Sequence, residues 1–190
     1  MTIKEAERCD SKAIANLIMA AMSEDCCLYY AGPEHTLDDF RQMMTRLVEK
    51  DFSQYSYRNT LVAKDDAGEL MGAIVTYDGA LLHELRKVFI AAAQECFGRD
   101  YSGMSDETQA GELYVDSFAV FPQYRRKGVA TALLHAAISR AAELGHGIVG
   151  LLVDKGNPTA QRLYEKVGFC YVGDAEWGGH PMKHMQIKTC

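Results

Sequence analysis

The sequence predicts a mixed α/β (α+β) fold, a central mixed sheet with helices on both faces. Three observations carry this. Strand-like and helix-like segments alternate along the chain. A strand–helix–strand–helix run between residues 112 and 168 contains a long crossover, which pairs strands in parallel. Hairpins at either end demand antiparallel neighbours, so the sheet is mixed. The 190 residues suit one domain, and 48% hydrophobic against 24% charged residues supplies an ordinary core.

The elements follow in order. "TIKEA", residues 2–6, reads as a short strand. Asp10 or Ser11 then caps a helix whose apolar positions include Ile14, Leu17, Ile18 and Ala21. Residues 31–51 read as helical, with Leu37, Phe40, Met43, Met44 and Leu47 on one side. "TLVAK" and "LMGAIVTY" flank the turn Asp65-Asp66-Ala67-Gly68 and form a hairpin. A helical segment at 81–97 and a polar loop at 98–111 form an elaboration on a single 1–190 domain. "ELYVDSFAVF" is a strand. Residues 129–144 are helical and stop at Gly145, a C-terminal glycine cap. "GIVGLLVD" is an apolar strand. Asn157-Pro158 opens the next helix with cap and proline in their favoured order, and Gly168 ends it. "FCYVG" and "KHMQIKT" close the chain as strands.

The net charge of −6 argues against a nucleic-acid binder held by a basic field, and suits cationic substrates. None of the six cysteines forms a Cys-x-x-Cys or a zinc-spaced Cys/His set. They read as free thiols in a reducing compartment. The N-terminal segment mixes charges with helically spaced apolar residues, unlike a secretory signal, and no apolar run is long enough to span a bilayer. The expectation is a cytoplasmic protein with no metal and no nucleic-acid or membrane partner.

One stretch stands against the acidic balance. "VFPQYRRKGVATALL" puts Arg125, Arg126 and Lys127 directly before Gly128 and a helix. The first turn of a helix offers backbone N–H groups with no internal partner, and the helix dipole adds positive potential. An anion is the natural occupant. Gly128 lets backbone approach it closely, and Ala130 is nearly as small. The stretch lacks the spacing of a P-loop and the triple glycine of a dinucleotide fold.

The pattern does match Arg/Gln-x-x-Gly-x-Gly/Ala, as Arg125-Arg126-Lys127-Gly128-Val129-Ala130. Behind it come an apolar strand, Asn157, Ala160, Tyr164 and Gly168-Phe169. Here the chain resembles the GNAT superfamily of acyl-CoA-dependent N-acetyltransferases, closely over 112–172 and in element order over 1–77. Residues 81–111 have no assignable counterpart. The resemblance implies a splay between two parallel strands that holds acetyl-CoA. It implies that the N–H groups of Arg126, Lys127, Gly128, Val129, Ala130 and Thr131 hold the diphosphate, with charge from Arg125. Main-chain groups of Phe118, Ala119 and Val120 would line the pantetheine path, the Val120 N–H polarising the thioester carbonyl. Phe118 and Val120 also read as sheet core. Asn157 is explained as a cap, and the resemblance adds a cofactor contact shared with Ala160.

By the same resemblance Tyr164 protonates the departing thiolate. On its own spacing Tyr164 is an amphipathic core residue, with Ala160, Leu163 and Val167. The acceptor amine must lose a proton before attack. Glu112, Tyr114, Asp116, Phe118 and Val120 alternate and share one strand face unless a bulge intervenes. Asp116 and then Glu112 are therefore the candidate bases. Tyr29, Tyr30 and His35 follow the first helix, where GNAT enzymes commonly wall the acceptor pocket. His184 reads as a satisfied structural histidine. The implied reaction is acetyl transfer to a primary amine in a ternary complex, with a small-molecule amine acceptor favoured. A protein α-amine or lysine acceptor and a non-catalytic acyl-CoA sensor are the rivals. A homodimer is compatible with either.

Overall fold

A seven-stranded sheet organises the chain in the computed structural model, which describes residues 1–189. Its strands are β1 (Thr2–Glu5), β2 (Thr60–Lys64), β3 (Leu70–Asp78), β4 (Leu113–Val120), β5 (Ile148–Asp154), β6 (Cys170–Trp177) and β7 (His180–Lys188). They lie in the order β1-β2-β3-β4-β5-β7-β6. Only β4 and β5 are parallel; every other pair is antiparallel. The mixed sheet is thus the expected one.

Helices cover both faces. One face carries α1 (Ser11–Met22), α2 (Glu24–Ala31), α3 (Leu37–Glu49) and α4 (Leu82–Phe97), packed through Ile14, Ile18, Phe40, Met44 and Phe89 onto Val62, Ala73 and Val75. The other carries α5 (Val129–Glu143) and α6 (Pro158–Val167), with Leu133, Leu134 and Ala137 against Ile74, Val115 and Leu151. Two fully apolar interfaces of this kind explain why β2, β3 and β5 read as nearly unbroken apolar runs.

The helix expected over residues 31–51 is shorter, α3 alone, and a separate helix, α2, precedes it. Ser23 caps α2, and Gly32, at φ +83°, ends it before Pro33. That pair breaks the helical path, because proline disfavours helical backbone in the residue before it. The Thr36–Asp39 capping box then starts α3. The closing strands run further than expected, to Trp177 and from His180. They meet at Gly178-Gly179, both in the left-handed region, as a two-residue hairpin requires.

Candidate active site

The central feature is a splay. β4 and β5 pair only at Leu113–Val149, Tyr114–Gly150 and Val115–Leu151. β4 continues to Val120 along β3, and β5 to Asp154 along β7, so one edge of each is left without a partner strand. The Phe121 N–H donates to the Met71 carbonyl at 2.9 Å. Main-chain groups alternate sides along a strand, so those of Val120 and Phe118 face the splay, while those of Ala119 face β3. The Arg125 guanidinium donates to the Val120 carbonyl at 3.2 Å, at the mouth of the splay.

The loop after β4 delivers α5 to the same end. Among the described residues no side chain caps α5, so its first-turn N–H groups stay available. Arg126 at φ +62° and Gly128 at φ +80° both adopt left-handed backbone. For an arginine that conformation costs about 1–2 kcal/mol. Alternating turns of this kind gather N–H groups into an anion-binding concavity. The space where a Cβ on Gly128 would stand is open. These residues fit a diphosphate. Among the described residues no cluster of three or more His, Cys, Asp or Glu side chains could hold a metal ion.

Tyr164, on α6, packs its ring 6.4 Å from Phe118 and 5.9 Å from Phe169. Its hydroxyl makes no hydrogen bond among the described residues, and burial pushes its pKa up to about 12. Asn157 is the N-cap of α6, its Oδ1 accepting from the Ala160 N–H at 3.0 Å. Its amide nitrogen donates to no group among the described residues.

The carboxylates are arranged differently from the alternation of the strand. Val75 faces Ser117 and Thr76 faces Val115, which leaves Asp116 as the extra residue of a β-bulge. The bulge reverses the parity of everything after it. Phe118 and Val120 therefore pack with Leu113 and Val115 against the α5–α6 side. Asp116 points to the opposite face, where the Tyr77 hydroxyl and Gln54 Nε2 reach its Oδ2 at 3.2 and 2.7 Å. The single shared face expected for Glu112 through Val120 does not exist.

Asp116 has a carboxylate neighbour that the strand pattern did not reveal. Gln54 Nε2 also donates to Glu107 Oε1 at 2.8 Å, and the Tyr77 hydroxyl lies 3.1 Å from that oxygen. Glu107 Oε2 accepts from Trp177 Nε1 at 3.0 Å and pairs with the Arg86 guanidinium. Burial raises the proton affinity of both carboxylates, and the charge of Asp116 raises that of Glu107 further. Arg86 and the hydrogen-bond donors pull the other way.

Glu112 occupies a separate cluster. It is 1% exposed and accepts from Thr108 Oγ1 at 2.7 Å, His184 Nε2 at 2.9 Å and Gln186 Nε2 at 2.7 Å. Burial would raise its pKa, but the hydrogen bonds from His184, Thr108 and Gln186 hold it below the ordinary carboxylate value. His184 is satisfied by that contact.

Of the three expected acceptor-side residues, Tyr30 is buried among Phe40, Phe89 and Tyr101, and Tyr29 is exposed beside it. His35 lies apart, against Phe97 and the Cys96 carbonyl at the end of α4.

This geometry accompanies a match to the model of the acetyltransferase (GNAT) family over residues 19–169. The chain belongs to that family. Over 112 residues it is 33% identical to a mycothiol acetyltransferase of Propionibacterium freudenreichii, an alignment covering 59% of this chain. The chain spans only 28% of the length of that relative. An N-acetyltransferase from Staphylococcus aureus Mu50 has the same fold, with a TM-score of 0.82 at 23% identity over 98% of this chain and 100% of that one. Mutant forms of the spermidine/spermine N-acetyltransferase SpeG from Vibrio cholerae align with a TM-score of 0.60 at 20% identity, over 99% of this chain and 94% of that one. No helix among the described residues is long and apolar enough to cross a membrane.

Against the GNAT frame, the residues that sequence reasoning missed are Gln54, Tyr77, Arg86, Glu107 and Trp177. Two of them come from the 81–111 elaboration. One signal for them exists in the sequence. The stripe Leu82, Leu85, Arg86, Phe89 and Ala93 is the buried face of α4. An arginine on such a stripe needs a buried acid.

Proposed function

We propose that this chain transfers an acetyl group from acetyl-CoA to a primary amine, by direct attack in a ternary complex. One observation carries the reading. The β4–β5 splay opens between the uncapped start of α5 and a bulge that aims a proton-accepting carboxylate away from the core of the α5–α6 face. Acetyl-CoA, when bound, supplies the activated acetyl thioester. The N–H groups of Arg126 to Thr131, the main chain of Phe118 and Val120, and the Asn157 amide would hold it.

The chain's own residues do the rest. An alkylammonium acceptor gives one proton to Asp116, directly or through water, which frees the nitrogen lone pair. The amine then forms the C–N bond as the C–S bond breaks, and a second proton passes to sulfur. Tyr164, packed beside Phe118 of β4, would be its source. A phenol at about 12 is a weaker acid than a thiol near ~8.5, so the hydroxyl acts first as a hydrogen-bond donor to the developing thiolate. It hands on its proton only as it regains one from solvent. Small-molecule acceptors are favoured by the names of a relative and a structural neighbour, which carry mycothiol and spermidine.

Thiol release from acetyl-CoA across a panel of small amines and peptides tests this. The expected result is turnover with small primary amines above that with peptides. Asp116→Asn and Tyr164→Phe should each lower kcat by ~10²-fold or more while acetyl-CoA affinity stays nearly unchanged. Cofactor binding with no acetylation of any amine would assign a sensor instead.

A further inference from the structure

We propose that Glu107 and Asp116 act as one proton-sharing pair, with Arg86 and Trp177 holding Glu107 as the ionised member. Asp116 is then the carboxylate left to exchange a proton, and Glu107 is a positioning residue. The inference rests on the acceptor site proposed above.

The donors around the two carboxylates are counted by their chemistry. Gln54 Nε2 has two hydrogens, one for Asp116 Oδ2 and one for Glu107 Oε1. Tyr77 has a single hydroxyl hydrogen, yet lies within hydrogen-bond distance of both oxygens. When both carboxylates are ionised, two anionic oxygens of a buried site crowd onto the same two donors, Gln54 and Tyr77. Uptake of one proton by the pair relieves that like-charge repulsion.

The remaining oxygens decide which acid keeps it. Glu107 Oε2 meets a guanidinium and an indole N–H. Asp116 Oδ1 meets only the neutral Ser117 hydroxyl, at 2.8 Å. As pH falls, the first proton therefore goes to Asp116 while Glu107 stays ionised; above that step Asp116 is the free base.

Other titratable groups facing the pair come from several elements. Tyr30 on α2, Tyr55 before β2, Tyr77 on β3 and Tyr114 on β4 are all pushed up by burial and stay neutral. Asp106 contacts Arg86 and His83 at the rim. Glu112 and His184 engage each other further along β4. Through Gln54 and Tyr77, Glu107 joins Asp116 to the 81–111 elaboration, so that insertion tunes the base.

The resting protein contains its own reporter. Trp177 is the only tryptophan, and its indole N–H sits on Glu107. Its neighbour across the hairpin is the exposed His180, so His180→Gln is the background. Tryptophan fluorescence is followed from pH 4 to 9 with no ligand present. The expected curve has a step above the ordinary carboxylate range. Glu107→Gln and Asp116→Asn should each move that step down by ~1 pH unit or more, because each removes a like charge from its partner.

In turnover, Glu107→Gln should shift the acid limb of kcat/KM down by a similar amount, and Glu107→Asp should restore it. A step that persists unmoved in both variants overturns the pairing, as does a Glu107→Gln enzyme slowed equally at every pH. Should Glu107→Gln not fold, the Asp116→Asn fluorescence curve decides alone. Since the fluorescence needs no acetyl transfer, failure of the pairing is distinguishable from failure of the proposed reaction.

Discussion

Gly150→Ala separates the two carboxylate clusters of β4 experimentally. Gly150 lies between Tyr114 on β4 and Gln186 on β7. Its missing Cβ is the space through which Glu112 reaches across β5, and a Cβ there would overlap the Glu112 carboxylate. The carboxylate is buried and held by Thr108, His184 and Gln186, so it cannot swing into water without losing them. Hydrogen bonds to a charged group are worth about 1.5–3 kcal/mol each. Losing one or two costs about 3 kcal/mol. For a domain of this size that lowers Tm by roughly 6–12 °C. Thermal melts followed by circular dichroism measure it. The double variant Gly150→Ala/Glu112→Ala removes the overlap and should lose clearly less than the sum of the single changes. A Gly150→Ala protein melting within ~2 °C of the parent, or strict additivity in the double variant, would refute the clamp.

Other expectations concern charge and backbone strain. The folded-state pKa of Asp116 is raised, so this group stabilises the fold below its unfolded pKa and loses that contribution as pH rises. Asp116→Asn should therefore melt higher than the parent at pH 7.5 while turning over more slowly. Glu112 is the reverse case: its folded pKa lies below the ordinary value of 4.5, and its contribution disappears as pH falls through the folded pKa. Melting curves of Glu112→Gln should depend less on pH below about 4.5 than those of the parent. Arg126→Gly relieves a left-handed arginine and should gain about 1 kcal/mol of stability, read by urea unfolding, while coenzyme affinity drops with the lost charge.

Much of the architecture was readable because its signals are local. The hairpin of β2 and β3, the Asn157-Pro158 start of α6 and the glycine stops at Gly145 and Gly168 are each set within a few residues. The short α2 was hidden, since its eight residues give too little periodicity to show as a helix between the first helix and α3. The Arg126–Gly128 turn was legible for the same local reason. The carboxylate cluster was not. Gln54 meets Asp116 across 62 positions, and Trp177 meets Glu107 across 70. Asp116 itself was legible as an acid on an apolar strand. Its direction was not, because one bulge inverts the parity on which any alternation argument depends.

Calorimetry with free and acetylated coenzyme A probes the reading at its root, the anion cradle at the start of α5. The account predicts a saturable heat for both ligands at one site per chain, weakened at least ~10-fold by Gly128→Val, which places a branched side chain on left-handed backbone. A folded parent protein that gives no heat with either ligand would contradict it.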